Sequence, residues 1–260
     1  DRAIFGHIGF TLSNAVRAFW LGLTGAWLVR IAMNGPARSY CQKLTRLSTA
    51  FAFISDMAML SLGGSLKRRE KISGRFADVL SFMYLASAVV KRFEDDGRPA
   101  ADVPLMRWAC DYCLHEAEKS LVVILKNFPS RFLEWLMGGL VFPIGRRYYV
   151  PNDAMGHSAA KLLLEPSEAR ERLTGGIYIP RSTEDALGRL EDALPKVIAA
   201  EPLERRLYKL VDEQPLLHGD HAAQLAEAIK MNRLSAAEAE LVRVAHAARR
   251  EVIAVDDFAH

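Results

Sequence analysis

The stretch 63–97, GGSLKRREKISGRFADVLSFMYLASAVVKRFEDDG, constrains the fold most, because it carries the clearest helical period in the chain. Ile72, Phe76, Val79, Leu80, Met83, Tyr84 and Val90 recur mostly at steps of three and four. At about 3.6 residues per turn that spacing predicts one apolar face. A lone helix cannot cover such a face, so other helices must bury it. Lys67, Arg68, Arg69, Glu70 and Lys71 crowd the entry, and Gly97 marks the stop. Nothing in the stretch has the arrangement of an active site.

The segments around it read the same way. Residues 3–33 predict a long, strongly apolar helix, with Phe10, Val16, Phe19, Trp20, Leu23, Trp27 and Ile31 spread around it. Such a helix is expected at the centre of a bundle. A membrane span is the competing idea, but Arg17 and Arg30 bracket only about a dozen uncharged residues where a span needs ~20. Gly6, Gly9, Gly22 and Gly25 are expected to allow close helix contacts, and Gly35-Pro36 to end the element. Residues 40–62 and 105–128 complete a set of four long helices. After Pro151 come shorter pieces, 153–164, 167–173, 183–200, 203–212 and 222–231, and a last helix to about residue 251 opened by the capping box Ser235-Ala-Ala-Glu238. Residues 177–179 are the one strand-like piece. The expected fold is therefore all-α: a four-helix-bundle core with an apolar block over residues 1–150, and a C-terminal lobe of shorter helices, 151–260, packing on it.

Charge narrows the function classes. The net charge is +3, with both signs interspersed, whereas nucleic-acid binding calls for a basic stripe with stacking aromatics. Cys41, Cys110 and Cys113 cannot make a disulfide framework, and no signal peptide is recognised, so a reducing, cytoplasmic setting is expected. The chain opens at Asp1 without an initiator Met and runs straight into helical material, which suggests a piece of a longer polypeptide.

The candidate chemistry is thin. Cys110-Asp-Tyr-Cys113 is formally CxxC, but it falls inside a predicted helix rather than at the N-terminus that would stabilise a thiolate, and two small core residues are expected. His218-Gly-Asp-His221 offers two imidazoles and a carboxylate, and is read as a hydrated loop whose Asp220 caps the next helix. Glu70, Asp78, Glu116 and Glu118 are expected to be solvated or paired surface groups. No GxGxxG, Walker loop, GxSxG or HExxH is present, and no catalytic, cofactor-binding or metal residue is assigned. The block 132–144 is different in kind. Phe132, Trp135, Leu136 and Phe142, followed by Arg146 and Arg147, have the composition of an interfacial anchor, and the block is either buried on the bundle or set against a membrane.

Three long strings, DRAIFGHIGFTLSNAVRAFWLGLTGAWL, LGGSLKRREKISGRFADVLSFMYLASAVVKRFEDDGR and FPIGRRYYVPNDAMGHSAAKLLLEPSEARERLTGGIYIP, resemble the C-terminal region of the bacterial FadE-type long-chain acyl-CoA dehydrogenases of fatty-acid β-oxidation. The resemblance implies a helical extension of a flavoprotein that uses FAD, bound outside this segment, to convert acyl-CoA to trans-2-enoyl-CoA. It implies that the carboxylate base lies upstream, so that no Glu here is a catalyst. It also implies as partners the upstream catalytic domains, long-chain acyl-CoA through the parent enzyme, and electron-transfer flavoprotein. Two further partners are expected apart from the resemblance: a second copy in a homodimer and, from the composition of the 132–144 block, a peripheral contact with the inner membrane. The alternative is a free-standing helical interaction or membrane-docking module without redox chemistry.

Overall fold

The computed structural model describes residues 2–213 and 220–254, the side chains of residues 2–5 excepted. Among the described residues there are ten α-helices and no strand. The chain divides into two compact units, 1–159 and 160–260.

In the first unit, α1 (Arg2–Thr24), α2 (Ala37–Leu62), α3 (Glu70–Asp95), α4 (Val103–Lys126) and α5 (Arg131–Val141) pack together. α3 lies along α4, α2 meets α1, α3 and α4, and α5 meets α1 and α4. Gly63, at φ +50°, ends α2 and opens a 3-10 turn over Gly63–Arg68, and Gly97, at φ +80°, follows α3. The buried face of α3 is Ile72, Val79, Met83, Ala86, Val90 and Phe93. Leu80 and Tyr84, expected on that face, point outward. The rotation follows from close packing: the Cys110 thiol of α4 sits 3.8 Å from the Ala86 carbonyl, so a small residue marks the line of contact.

The first helix departs most from expectation. It ends at Thr24, where Gly25 and Ala26 take positive φ of +64° and +63°, well before Gly35-Pro36. Nor is it central. It turns Asn14, Ala18, Leu21 and Gly22 inward and leaves Ile8, Leu12, Val16, Phe19, Trp20 and Leu23 outward. Small residues win the inner face because the neighbours come so close. A Cβ on Gly22 would stand 2.8 Å from both Pro143 Cδ and the Val141 carbonyl, whereas Gly6 and Gly9 face open space. The stretch Ala37–Arg68 is long and apolar enough to cross a membrane by length and composition, a test that a core helix also passes. In this fold α2 buries Leu47, Ala50, Phe53, Ile54 and Ala58 in the bundle core.

α6 (Asp153–Leu164) spans the boundary between the units. The second unit holds α7 (Glu168–Thr174), α8 (Ala186–Glu213), α9 (His221–Lys230) and α10 (Ala236–Ile253). α8 is one helix where two were expected. It runs through Pro195 and Pro202 because Ala193, Ala200, Leu207 and Leu210 keep one buried stripe in register, and its packing on α10 outweighs two lost amide donors. Its core is small: Ala200, Leu207, Leu225, Ala228, Leu234, Ala239, Val242 and Ala245. The capping box is formed, with the Ser235 hydroxyl accepting from Glu238 N at 3.2 Å and the Glu238 carboxylate accepting from Ser235 N at 2.7 Å. The Asp220 side chain accepts from Ala223 N at 2.8 Å and caps α9. Ile177 and Tyr178 are exposed and form no strand.

Candidate functional site

One buried charge pair organises the end of the first unit from which α5 and the segment after it emerge. Arg46 on α2 and Glu118 on α4 are 2% and 0% exposed, and Arg46 Nη1 donates to Glu118 Oε1 at 3.0 Å. Taking both charges out of water is costly unless the carboxylate's other lone pairs are used. They are used: the backbone amides of Arg147 and Tyr148 donate to Glu118 Oε2 at 3.1 and 3.0 Å, and Arg146 Nε stands 3.7 Å from the same oxygen. The Nε and Nη2 of Arg46 have no hydrogen-bond acceptor, but the guanidinium lies 5.0 Å from the Tyr148 ring centre and 5.6 Å from that of Phe142, where aromatic faces attract a cation. Glu118 was expected at the surface. It is instead the peg on which residues 146–148 hang.

From that peg the neighbouring side chains diverge. Arg147 turns onto the end of α1, its Nε and Nη2 donating to the carbonyls of Gly22 and Leu23 at 3.2 and 2.9 Å, where unpaired carbonyls favour a cation. Arg146 stays exposed and joins Lys126 and Arg131 along an open groove of about 710 Å³. The groove is walled by Val122, Leu125, Trp135 and Phe142, and runs over Gly138 and Gly139, beside which there is empty space where side chains would stand. Its wall is α5, which starts where the Ser130 hydroxyl accepts from Leu133 N. The helix is amphipathic: Met137 and Val141 are buried, Leu136 is half-buried, and Phe132 and Trp135 are 66% and 73% exposed. The block 132–144 is thus partly core and partly surface. Phe142 packs on the core and also walls the groove, Trp135 and Arg146 belong to the groove, and Arg147 to the α1 terminus.

The remaining candidates fall elsewhere. Cys110 and Cys113 are buried inside α4, and burial pushes the Cys110 thiol up to about 12, so a thiolate is disfavoured there. Glu70 and Asp78 are exposed, and Glu116 pairs with Lys119 at 3.0 Å. His218 lies outside the described residues. His221 stacks on His246, ring centres 4.0 Å apart and planes 11° from parallel, with Glu204 and Arg249 nearby in charge. Among the described residues no three His, Cys, Asp or Glu side chains are grouped to hold a metal ion.

Comparison with known proteins supplies what the site does not. The family model described as acyl-CoA dehydrogenase, C-terminal, bacterial type, matches residues 1–258. The chain belongs to this family. No solved structure matches it. For an acyl-CoA dehydrogenase C-terminal domain, the informative surface is then the one its own helices leave uncovered. On α1 that surface is a stripe of large apolar side chains, with Trp20 still 53% exposed, on a helix containing no acid and no lysine. The sequence signal for the stripe was present, since apolar residues surround this helix. Which of them faced inward was not readable.

Proposed function

We propose that this chain is the C-terminal helical domain of an FAD-dependent oxidoreductase that dehydrogenates long-chain acyl-CoA to trans-2-enoyl-CoA in β-oxidation. The chain itself is structural, and its α1 stripe seats the catalytic domains. The observation that carries the reading is that stripe, in a chain whose family is defined as the C-terminal part of such enzymes. Large apolar side chains in a continuous exposed patch mark an interaction surface. One with a single arginine, Arg17, among six large apolar side chains suits the apolar flank of a protein body rather than a polyanion. Flavin, base and acyl-CoA belong to that body, which passes electrons to a flavoprotein acceptor. The grooves beside α5 and along α9 and α10 are open surface lined by neighbouring helix side chains, which does not fit an enclosed flavin dinucleotide. Unpaired cysteines suit a cytoplasmic enzyme. A homodimer of the parent enzyme is compatible with the same stripe.

The test places Leu12→Asp with Trp20→Asp in the full-length dehydrogenase. The expected result is loss of flavin retention and a lowered melting temperature, while the same pair of changes leaves the helical spectrum of the isolated 260-residue chain unchanged. Wild-type flavin content and stability in the full-length variant would refute the seating role. Stoichiometric flavin on the isolated chain would refute the assignment of chemistry to the upstream body.

A further inference from the structure

We infer that the groove beside α5 is a docking site for the anionic surface of a phospholipid bilayer, with Phe132 and Trp135 entering the headgroup layer and the basic rim holding lipid phosphates. The argument starts from a contrast between the two exposed apolar surfaces of the first unit. The α1 stripe carries a single exposed arginine, Arg17, among six large apolar side chains, as a protein–protein seat can. The α5 groove instead sets Lys126, Arg131 and Arg146 against one acid, Glu134, which stands 3.6 Å from Arg131. Glu118 also faces Arg146, but from a fully buried position, so it offers the outside no negative charge. The rim is therefore electrostatically complementary to phosphate, and its arginines can hold it through paired donors.

The aromatic side chains decide between a lipid surface and a dissolved anion. Phe132 and Trp135 are one helical turn apart on α5, their ring centres 6.4 Å apart and both largely exposed, with Trp135 at the edge of the groove and Phe132 outside its lining. Ile144, also exposed, adds apolar surface just past the helix end. A soluble phosphate ligand would gain nothing from two rings left this exposed. A bilayer would receive them at the level where Trp is enriched, while basic side chains meet the headgroups. α5 itself is anchored by Met137 and Val141 in the core, which fixes the rings at a constant height above the protein surface. The inference does not depend on the dehydrogenase reading, whose failure would appear in flavin retention rather than in lipid binding.

The experiment is co-sedimentation of the 260-residue chain with phosphatidylcholine vesicles, with and without phosphatidylglycerol. Binding is expected to the anionic vesicles only, and to weaken as salt is raised. Each basic side chain near an anionic surface is worth about fivefold in partition, so Lys126→Gln with Arg131→Gln should lower binding by at least about tenfold. Phe132→Ser with Trp135→Ser should lower it comparably while the thermal melt is unchanged. Because a serine pair could disturb α5, Trp135→Phe provides the second measurement: vesicles of brominated lipid should quench the wild type more than this variant. Absence of binding to anionic vesicles would overturn the inference. So would equal quenching of the two proteins. So would a soluble acyl-CoA that saturably shifts Trp135 emission when anionic vesicles do not, which would make the groove a site for a dissolved amphiphile.

Discussion

The two units bury different things. The first places large side chains such as Leu47, Phe53, Ile54, Leu114, Leu121 and Ile124 in its core and closes over an ion pair. The second has a core in which Ala200, Ala228, Ala239 and Ala245 are half of the buried cluster, and its principal buried carboxylate, Glu204, is met by Arg249 from the surface at 3.0 and 2.8 Å. Lys196 with Asp192, Arg205 with Glu201, Lys230 with Glu227 and Arg243 with Glu240 are local and exposed, while Arg170 with Glu191, Arg206 with Glu238 and Arg189 with Glu251 tie separate helices near the surface. Burying apolar area stabilises by roughly 25 cal/mol per Å², and alanine has little to bury. Exposed pairs contribute ~0–1 kcal/mol each. The first unit is therefore held by the packing of large side chains and a desolvated polar network, and the second by a small, alanine-rich contact of α8 with α9 and α10 and by ion pairs near its surface. All four tryptophans, Trp20, Trp27, Trp108 and Trp135, lie in the first unit, so fluorescence follows its unfolding alone while circular dichroism follows both.

That separation lets the contrast be broken by substitution. The largest expected effect is Glu118→Ala, which leaves Arg46 buried and uncompensated and strips the amides of Arg147 and Tyr148 of their acceptor. The cost is about 3–5 kcal/mol, seen as an early fluorescence transition in a denaturant titration. If the fluorescence midpoint is unmoved, the polar peg is not what holds this end of the bundle. A smaller effect, about 1 kcal/mol, is expected for Ser235→Ala, which removes one half of the capping box at the start of α10. It should appear in the circular dichroism transition of the second unit and leave the fluorescence transition in place. A fluorescence shift of equal size would mean that the units unfold together.

The smallest effect concerns pH. Burial, and then the stacked His246, hold the His221 imidazole below its ordinary value, with Glu204 and Asp220 opposing and Arg249 adding to the shift. The fold thus prefers neutral His221. Its contribution to stability is complete above the unfolded value of about 6.5 and is lost as pH falls through the lower folded value. The second unit should lose stability on acidification through this range, and His221→Phe, which keeps a stacked ring, should flatten that dependence. An unchanged slope in the variant would assign the acid sensitivity to other groups.

Much of the fold was legible because helix signals are local. The extent of α4, the glycines that follow α2 and α3, the caps at Asp220 and Ser235, and the bounds of α6 and α9 each depend on residues within a turn or two. The errors came where a local signal was overruled. Pro202 suggested a break between 183–200 and 203–212 that packing against α10 removed. The apolar belt of residues 3–33 suggested a central helix, but with large residues on nearly every side of α1 the hydrophobic pattern named no inner face.

By itself, then, the sequence determined the helical class and most element bounds, and it marked 132–144 as an apolar block without deciding between burial and exposure. Only the tertiary structure decided that α1 packs through Asn14, Ala18 and Gly22 and shows its large side chains outward. It alone brought Arg46 to Glu118, 72 residues apart in the chain, and turned Arg147 onto α1 while leaving Arg146 free for the groove. The reason is physical. Period and capping are set by backbone geometry over a few residues, whereas the choice of buried face depends on how closely distant backbones can approach, and a charge is worth burying only if remote amides arrive to pair with it.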